Sequence, residues 1–111
     1  MKRKGPSPTQ RSLKKLRELG YEPWVVEQTI PHTFIKRDMF NFVDILAIRP
    51  GEMLAVQATS NSGGNVSARI AKIRESPHLA TLLSTGCKVE VHGWGKPTKK
   101  RKDGLRVETI T

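Results

Sequence analysis

The sequence has little cysteine, few aromatic residues and no long apolar run. Cys87 is the single cysteine, so no disulfide can form within the chain, and a reducing, cytoplasmic compartment is the expected location. Aromatic residues make up only 5% of the chain, and no apolar segment approaches the length of a membrane span. The first ten residues carry basic side chains without an apolar stretch after them. We therefore expect neither a secretory signal nor a membrane partner.

Acidic residues are also scarce relative to basic ones. The chain has 20 Lys and Arg against 10 Asp and Glu, which gives a formal net charge of +10. This excess favours a polyanionic partner, and nucleic acid is the usual one for a basic domain. The length of 111 residues predicts one domain over 9–111, preceded by a flexible basic arm over 1–8.

Cap and turn residues divide the chain into helices and strands, which together predict an α/β domain with a central mixed sheet and flanking helices. Alternation with Val89 and Val91 places His92 on the polar face of its strand. The predicted elements are a helix over 9–19, a strand over 21–29, a hairpin over 42–48 and 53–59, helices over 66–75 and 76–86, and strands over 87–94 and 105–110.

The hairpin is predicted by the segment NFVDILAIRPGEMLAVQATS at 41–60, where two apolar runs flank a Pro-Gly turn. Pro50 suits the second turn position, and Gly51 suits the third, which requires a positive φ. A turn centred on these two residues places Leu46 opposite Ala55.

The same register places polar side chains together on one face of the hairpin. Asp44 falls opposite Gln57 and Phe42 opposite Thr59, and alternation puts Asp44, Gln57 and Thr59 on one face. An acid within an apolar strand is unfavourable unless it is paired or binds a cation. We interpret this cluster as a site of metal-dependent chemistry on a phosphate backbone. Glu27 and Asp38 would add carboxylates if their segments return to this face.

The hairpin and the order of elements resemble the PD-(D/E)XK nuclease superfamily, in particular its virus-type replication-repair nuclease domains and small Holliday junction resolvases. The core of that family is a helix, a three-stranded β-meander, a helix and a further strand, and the resemblance covers about 9–94. The second strand of the family carries an Asp, matched by Asp44. The third strand carries an acid, any residue and a Lys, matched by Gln57, Ala58 and Thr59. The resemblance therefore implies a single-domain restriction-endonuclease-like fold with a Gln-x-Thr variant of the motif.

The resemblance also implies a function. It implies a Mg²⁺- or Mn²⁺-dependent DNA endonuclease that hydrolyses phosphodiester bonds in Holliday junctions or forks and acts as a homodimer. Metal ligands would be Asp44, Gln57, the backbone carbonyl of Ala58 and, from the residues alone, Asp38. Because Gln57 and Thr59 replace the acid and the Lys, the alternative is a catalytically inactive nuclease fold that only binds nucleic acid.

Two sets of candidate residues follow from these interpretations. Lys72 and Lys36 are the candidates to replace the family lysine. The catalytic candidates are Asp44, Gln57, Thr59, Lys72 and Glu27. The candidate phosphate contacts are Lys2, Arg3, Lys4, Lys36, Arg37, Arg69, Lys72, Lys99, Lys100, Arg101 and Lys102.

Overall fold

The helices and strands follow the predicted order, with one addition. The computed structural model describes residues 5–29, 31–33 and 36–111, without the side chain of Lys36, so Lys2, Arg3 and Lys4 lie outside the described residues. The elements are α1 (Pro8–Glu18), β1 (Glu22–Val25), β2 (Gln28–Thr29), β3 (Lys36–Arg37), β4 (Ile45–Arg49), β5 (Glu52–Ser60), α2 (Asn65–Arg74), α3 (Leu79–Ser84), β6 (Lys88–Trp94) and β7 (Leu105–Ile110).

Five strands form one mixed sheet in the order β1-β4-β5-β6-β7. β1, β4 and β5 are successive antiparallel neighbours, β6 runs parallel to β5, and β7 is antiparallel to β6. The added element is a two-stranded ribbon of β2 and β3. The predicted strand over 21–29 was therefore wrong in its second half, because the chain leaves the sheet after Val25. The predicted α/β domain with a central mixed sheet is confirmed.

The two faces of the sheet are covered by different helices. α1 packs on one face, and α2 and α3 pack on the other. The buried cluster under α1 contains Leu16, Tyr21, Ile45, Ala47, Leu54 and Val56. The cluster under α2 and α3 contains Phe42, Val43, Ala55, Val66, Ile73, Leu79, Cys87, Val89, Val91 and Ile110. In the described part of the chain, no helix is long and apolar enough to cross a membrane.

The first helix begins earlier than predicted because its cap lies within the expected arm. The backbone N–H of Gln10 donates to the Ser7 hydroxyl at 3.2 Å, and the Ser7 N–H donates to Gln10 Oε1 at 3.1 Å. This reciprocal capping box fixes the first turn at Pro8. Residues 7 and 8 therefore belong to the helix and its cap, not to a flexible arm.

The hairpin has the predicted register over its central part. Leu46 pairs with Ala55, and Gly51 has a φ of 75°, as the turn requires. The strand pairing ends at Ile45, so the predicted pairing of Phe42 with Thr59 does not form. Phe42 is instead buried in the core under α2 and α3, because the chain bends away before reaching the level of Thr59.

Candidate active site

A tight turn between β3 and β4 places two aspartates side by side. The Met39 N–H donates to the Val43 carbonyl at 3.0 Å, and the Val43 N–H donates to the Met39 carbonyl at 2.9 Å. Asp38 and Asp44 flank this bridge on its two sides. Asp38 was expected to join the site only if its segment returned to the hairpin face. This local turn brings it there.

Asp44 lies at a bulge at the start of β4. Its N–H donates to the Val56 carbonyl at 2.9 Å, although Val56 is already the strand partner of Ile45. Asp44 and Ile45 therefore both lie opposite Val56, which is the arrangement of a β-bulge. Its Oδ2 accepts hydrogen bonds from the Ala58 N–H at 2.8 Å and from Gln57 Nε2 at 2.9 Å. Asp44 and Gln57 therefore meet as predicted, but through side chains and not as paired strand residues.

Gln57 links the two carboxylates. Its Nε2 lies 2.9 Å from Asp44 Oδ2 and 3.4 Å from Asp38 Oδ2. Gln57 is only 4% exposed, and within the described residues its Oε1 has no hydrogen-bond partner. A buried polar atom left without a partner costs about 1–3 kcal/mol. We call Asp38, Asp44 and Gln57 the carboxylate cluster. The amide nitrogen of Gln57 faces the two carboxylates, and a 180° rotation of the amide would turn its oxygen, which can ligate a cation, towards them.

The environment of the cluster favours protonation of Asp44. Burial, followed by the hydrogen bond and negative charge of Asp38, raises the pKa of Asp44 to about 7, against the opposing effect of the Ala58 and Gln57 hydrogen bonds. A carboxyl group with this pKa gains or loses a proton near neutral pH. Acids with such raised pKa values are concentrated at functional sites.

The other predicted catalytic residues lie at different distances from the cluster. Thr59 follows Gln57 by two residues on β5 and is also buried, so it shares the same face. Glu27 lies farther out, where it lines an open groove of about 520 Å³ together with Arg37 and Asp38. Thr59 therefore shares a strand face with Gln57, and Glu27 shares a groove with Asp38.

Lys72 is not part of the carboxylate cluster. It is exposed in the last turn of α2, where it borders a separate groove with Phe40 and Phe42. Among the described side chains, neither Asp38 nor Asp44 forms an ion pair, so Lys72 does not neutralise them. In the same described ranges, no three His, Cys, Asp or Glu side chains are grouped to hold a metal. The available donors are two carboxylates and one amide.

The exposed basic loop between β6 and β7 lies at the same end of the sheet as the cluster. Ser60, at the end of β5, pairs with Trp94, at the end of β6, and the chain then passes through 96–102 into β7. The start of the loop lies two strand spacings of ~4.8 Å across the sheet and about four residues, or ~13 Å, along it from the level of Asp44, which places it roughly 16 Å away. Its exposed basic residues are Lys99, Lys100, Arg101 and Lys102.

A buried polar chain on the opposite face of the sheet was missed by the sequence analysis. Trp94 Nε1 donates to Ser12 Oγ at 2.7 Å, Ser12 Oγ lies 2.9 Å from His92 Nδ1, and His92 Nε2 lies 3.0 Å from Glu90 Oε1. The prediction that His92 lies on the polar face was wrong, since it is 2% exposed and faces α1. A Ser, His and Glu in this order suggest a hydrolase triad, but Ser12 is fully buried and bonded on both sides. These hydrogen-bonded side chains therefore connect α1 to β6.

Comparison of this chain with protein-family models, with curated proteins and with solved structures found no match. The function is therefore inferred from the geometry of its own residues.

Proposed function

We propose that this protein is a divalent-cation-dependent endonuclease of restriction-endonuclease-like fold that hydrolyses DNA phosphodiester bonds at the carboxylate cluster. The observation that carries the proposal is the contact of one buried amide with two carboxylates, at 2.9 and 3.4 Å. This acidic centre lies at the same end of the sheet as the exposed basic loop, in a chain with net charge +10. Acidic groups surrounded by exposed basic ones are typical of metal-assisted chemistry on nucleic acid.

The topology supports the fold part of the proposal. α1 is followed by the antiparallel meander of β1, β4 and β5, then by α2 and by β6 parallel to β5. This is the order that the resemblance to PD-(D/E)XK nucleases implies. Asp44 and Gln57 also lie at the hairpin positions that the family motif would occupy.

The donor atoms of the cluster fit Mg²⁺ or Mn²⁺. These ions prefer oxygen ligands, and Mg²⁺ is commonly held by one or two carboxylates with several waters. Asp38 and Asp44 would supply two carboxylates, and Gln57 would supply its amide oxygen, which has no partner among the described residues, once the amide rotates to exchange its nitrogen and oxygen. A cation bound there would polarise the scissile phosphate and lower the pKa of a water molecule.

The protein's own residues position the Asp44 carboxylate and provide positive charge for DNA phosphates. The Ala58 N–H and the Gln57 amide hold the Asp44 carboxylate in one orientation. The bulge at Asp44 and the turn at 39–43 fix the backbones of the two aspartates next to each other. The exposed basic loop, at the same end of the sheet, would bind phosphates of the flanking DNA.

One observation favours a second candidate, a nucleic-acid-binding protein that does not cleave. Thr59 stands at the position of the family lysine, and the described cations form no ion pair with the cluster. A missing cationic side chain removes one source of transition-state stabilisation. Binding would survive this loss, because it depends on the basic surface.

The test is a cleavage assay on duplex, flap and four-way junction DNA with Mg²⁺, with Mn²⁺ and with EDTA. We expect cleavage with the metals and none with EDTA. Because the pKa of Asp44 is about 7, the rate should rise from pH 6 to pH 8, approaching about tenfold per pH unit well below the pKa. Tight binding without cleavage of any substrate at pH 8 would instead establish the second candidate.

Gln57→Glu is expected to tighten Mn²⁺ binding by about tenfold at pH 8, because a charged oxygen replaces a neutral one beside two carboxylates. Isothermal titration calorimetry at pH 8 measures this with little competition from protons. Gln28→Glu, at an exposed position on β2, is the matched control and should bind as the wild type does. Weaker or unchanged Mn²⁺ affinity in Gln57→Glu would show that residue 57 does not face the metal.

A further inference from the structure

We propose that the groove between Trp24 and Phe40 stacks an unpaired nucleobase next to the phosphate that is cleaved. This inference rests on the proposed function and names the class of substrate: nucleic acid with unpaired nucleotides, as at a fork, a flap or the centre of a junction. Stacking on aromatic rings tolerates any base, because every base has a flat π-face.

Trp24 is the most exposed large hydrophobic side chain in the described part of the chain. It is 76% exposed on β1, at the edge of the sheet, whereas Trp94 is buried and hydrogen-bonded to Ser12. Trp24 lines the groove of about 520 Å³ that also contains Arg37, Asp38 and Phe40. A large exposed ring therefore shares one concave surface with a carboxylate of the cluster and with a guanidinium suited to a phosphate.

Phe40 is presented at this groove by a strained turn. Its φ is 53° and that of the next residue, Asn41, is 66°, a region that bulky side chains rarely adopt. Strain of this kind persists where the surrounding structure imposes it, and it is concentrated at ligand-binding and active sites. The turn is the one that brings Asp38 and Asp44 together, so the ring is fixed relative to the carboxylates.

The contacts of the Phe40 ring leave room for a ligand. One side packs against His78, with ring centroids 5.0 Å apart and planes tilted by 35°. The residue is nevertheless 43% exposed and lines the Trp24 groove. The groove volume lies within the ~300–1,000 Å³ range of small-ligand pockets, which is enough for a base.

The edge of the sheet beside Trp24 is unsuited to a second copy adding a strand. The Val26 N–H points inwards and donates to the Asp44 carbonyl at 2.9 Å. Backbone alternation therefore turns position 23 outwards, where Pro23 has no N–H to offer a further strand. An aromatic groove beside an edge that resists strand pairing, on a chain of charge +10, favours nucleic acid over a protein partner.

The experiment measures binding in EDTA, where cleavage cannot occur. Oligo(dT) should quench tryptophan emission, and a hairpin duplex of equal phosphate number should quench it far less. Trp24→Ala should lower the affinity for oligo(dT) about tenfold or more while changing the affinity for the duplex less than twofold. Phe40→Ala should act in the same direction, and Trp24→Phe should retain most of the affinity.

Ile48→Ala is the matched control, because Ile48 is exposed on the neighbouring strand but lies outside the groove. Equal losses of duplex and oligo(dT) affinity in Trp24→Ala would overturn the inference and leave the nuclease proposal intact. The inference would also be overturned if Trp24→Ala and Ile48→Ala both changed the sedimentation coefficient while leaving the oligo(dT) affinity unchanged. That result would assign this face of the protein to a dimer interface. Selective loss of oligo(dT) affinity in a protein that never cleaves would support the stacking groove and reject only the nuclease.

Discussion

Asp44→Asn is expected to abolish metal-dependent cleavage and to make the protein more stable at pH 8. The loss of rate should be about 10²–10⁴-fold or greater, since the variant lacks the carboxylate that both holds a cation and titrates near neutral pH. The gain in stability has a different origin, because the wild type holds an ionised carboxylate in a buried position beside a second one.

The sign of the stability effect follows from the raised pKa. In the unfolded chain Asp44 titrates near 4, and in the folded protein at about 7. Below pH 4 the group is protonated in both states and does not lower the free energy of unfolding. Between pH 4 and pH 7 its ionisation lowers the free energy of unfolding progressively, and above pH 7 the full effect is present. Asparagine is neutral and can still accept the Ala58 N–H. A pKa raised from near 4 to about 7 corresponds to about 4 kcal/mol, and weaker hydrogen bonds from Ala58 and Gln57 to the neutral amide offset part of this. The variant should therefore be more stable by on the order of 2 kcal/mol at pH 8 and little changed at pH 4.

Urea unfolding without metal, at pH 4 and at pH 8, measures this difference. Asp103→Asn is the control, since the hydrogen bond and charge of Lys15, at 2.8 Å, lower the pKa of Asp103. That carboxylate contributes stability above its unfolded pKa, so its removal should slightly destabilise the protein at pH 8. If Asp44→Asn is less stable than the wild type at pH 8, Asp44 is a structural hydrogen-bond acceptor. Wild-type cleavage by the folded variant would remove the assignment of the site to this hairpin.

The part of the site within the hairpin was predictable because its geometry depends on local residues. The Pro50 and Gly51 turn sets the strand register, and the register brings Asp44 next to Gln57. Turn chemistry and side-chain alternation were sufficient here, and the bulge at Asp44 changed the backbone pairing without separating the two side chains.

The contribution of Asp38 could not be derived in the same way. It depends on a turn in which Phe40 and Asn41 adopt positive φ, although neither is glycine. The energy of that turn is supplied by tertiary contacts, including burial of Phe42, and these leave no local pattern in the sequence. The same holds for His92, whose burial requires Ser12 on a helix 80 residues away in the chain. Helix spacing does place Ser12 one turn before Leu16, on the apolar face of α1, and this was the signal that the sequence offered.

Neutralising the basic loop is expected to weaken nucleic-acid binding without altering base preference. Each Lys or Arg that binds a phosphate releases condensed counterions, so the slope of log K against log salt should fall by about 0.9 for each phosphate that is no longer bound. The fourfold variant Lys99→Gln, Lys100→Gln, Arg101→Gln and Lys102→Gln should therefore lower the slope by about 3–4 if all four bind phosphates. Phosphate contacts carry no direct sequence information, so affinities for different sequences should fall together.

The loop should keep its shape in this variant, because its turn is held by the backbone and by Thr98. The Thr98 N–H donates to the Arg101 carbonyl at 2.8 Å, and the Arg101 N–H donates to Thr98 Oγ1 at 3.0 Å. Arg17→Gln with Lys88→Gln is the control, since Lys88 pairs with Leu54 near the far end of the sheet and Arg17 lies in the last turn of α1. Fluorescence anisotropy at several salt concentrations gives the slopes. If the fourfold variant keeps the wild-type slope, the phosphate-binding surface lies instead on α2, around Arg69 and Lys72.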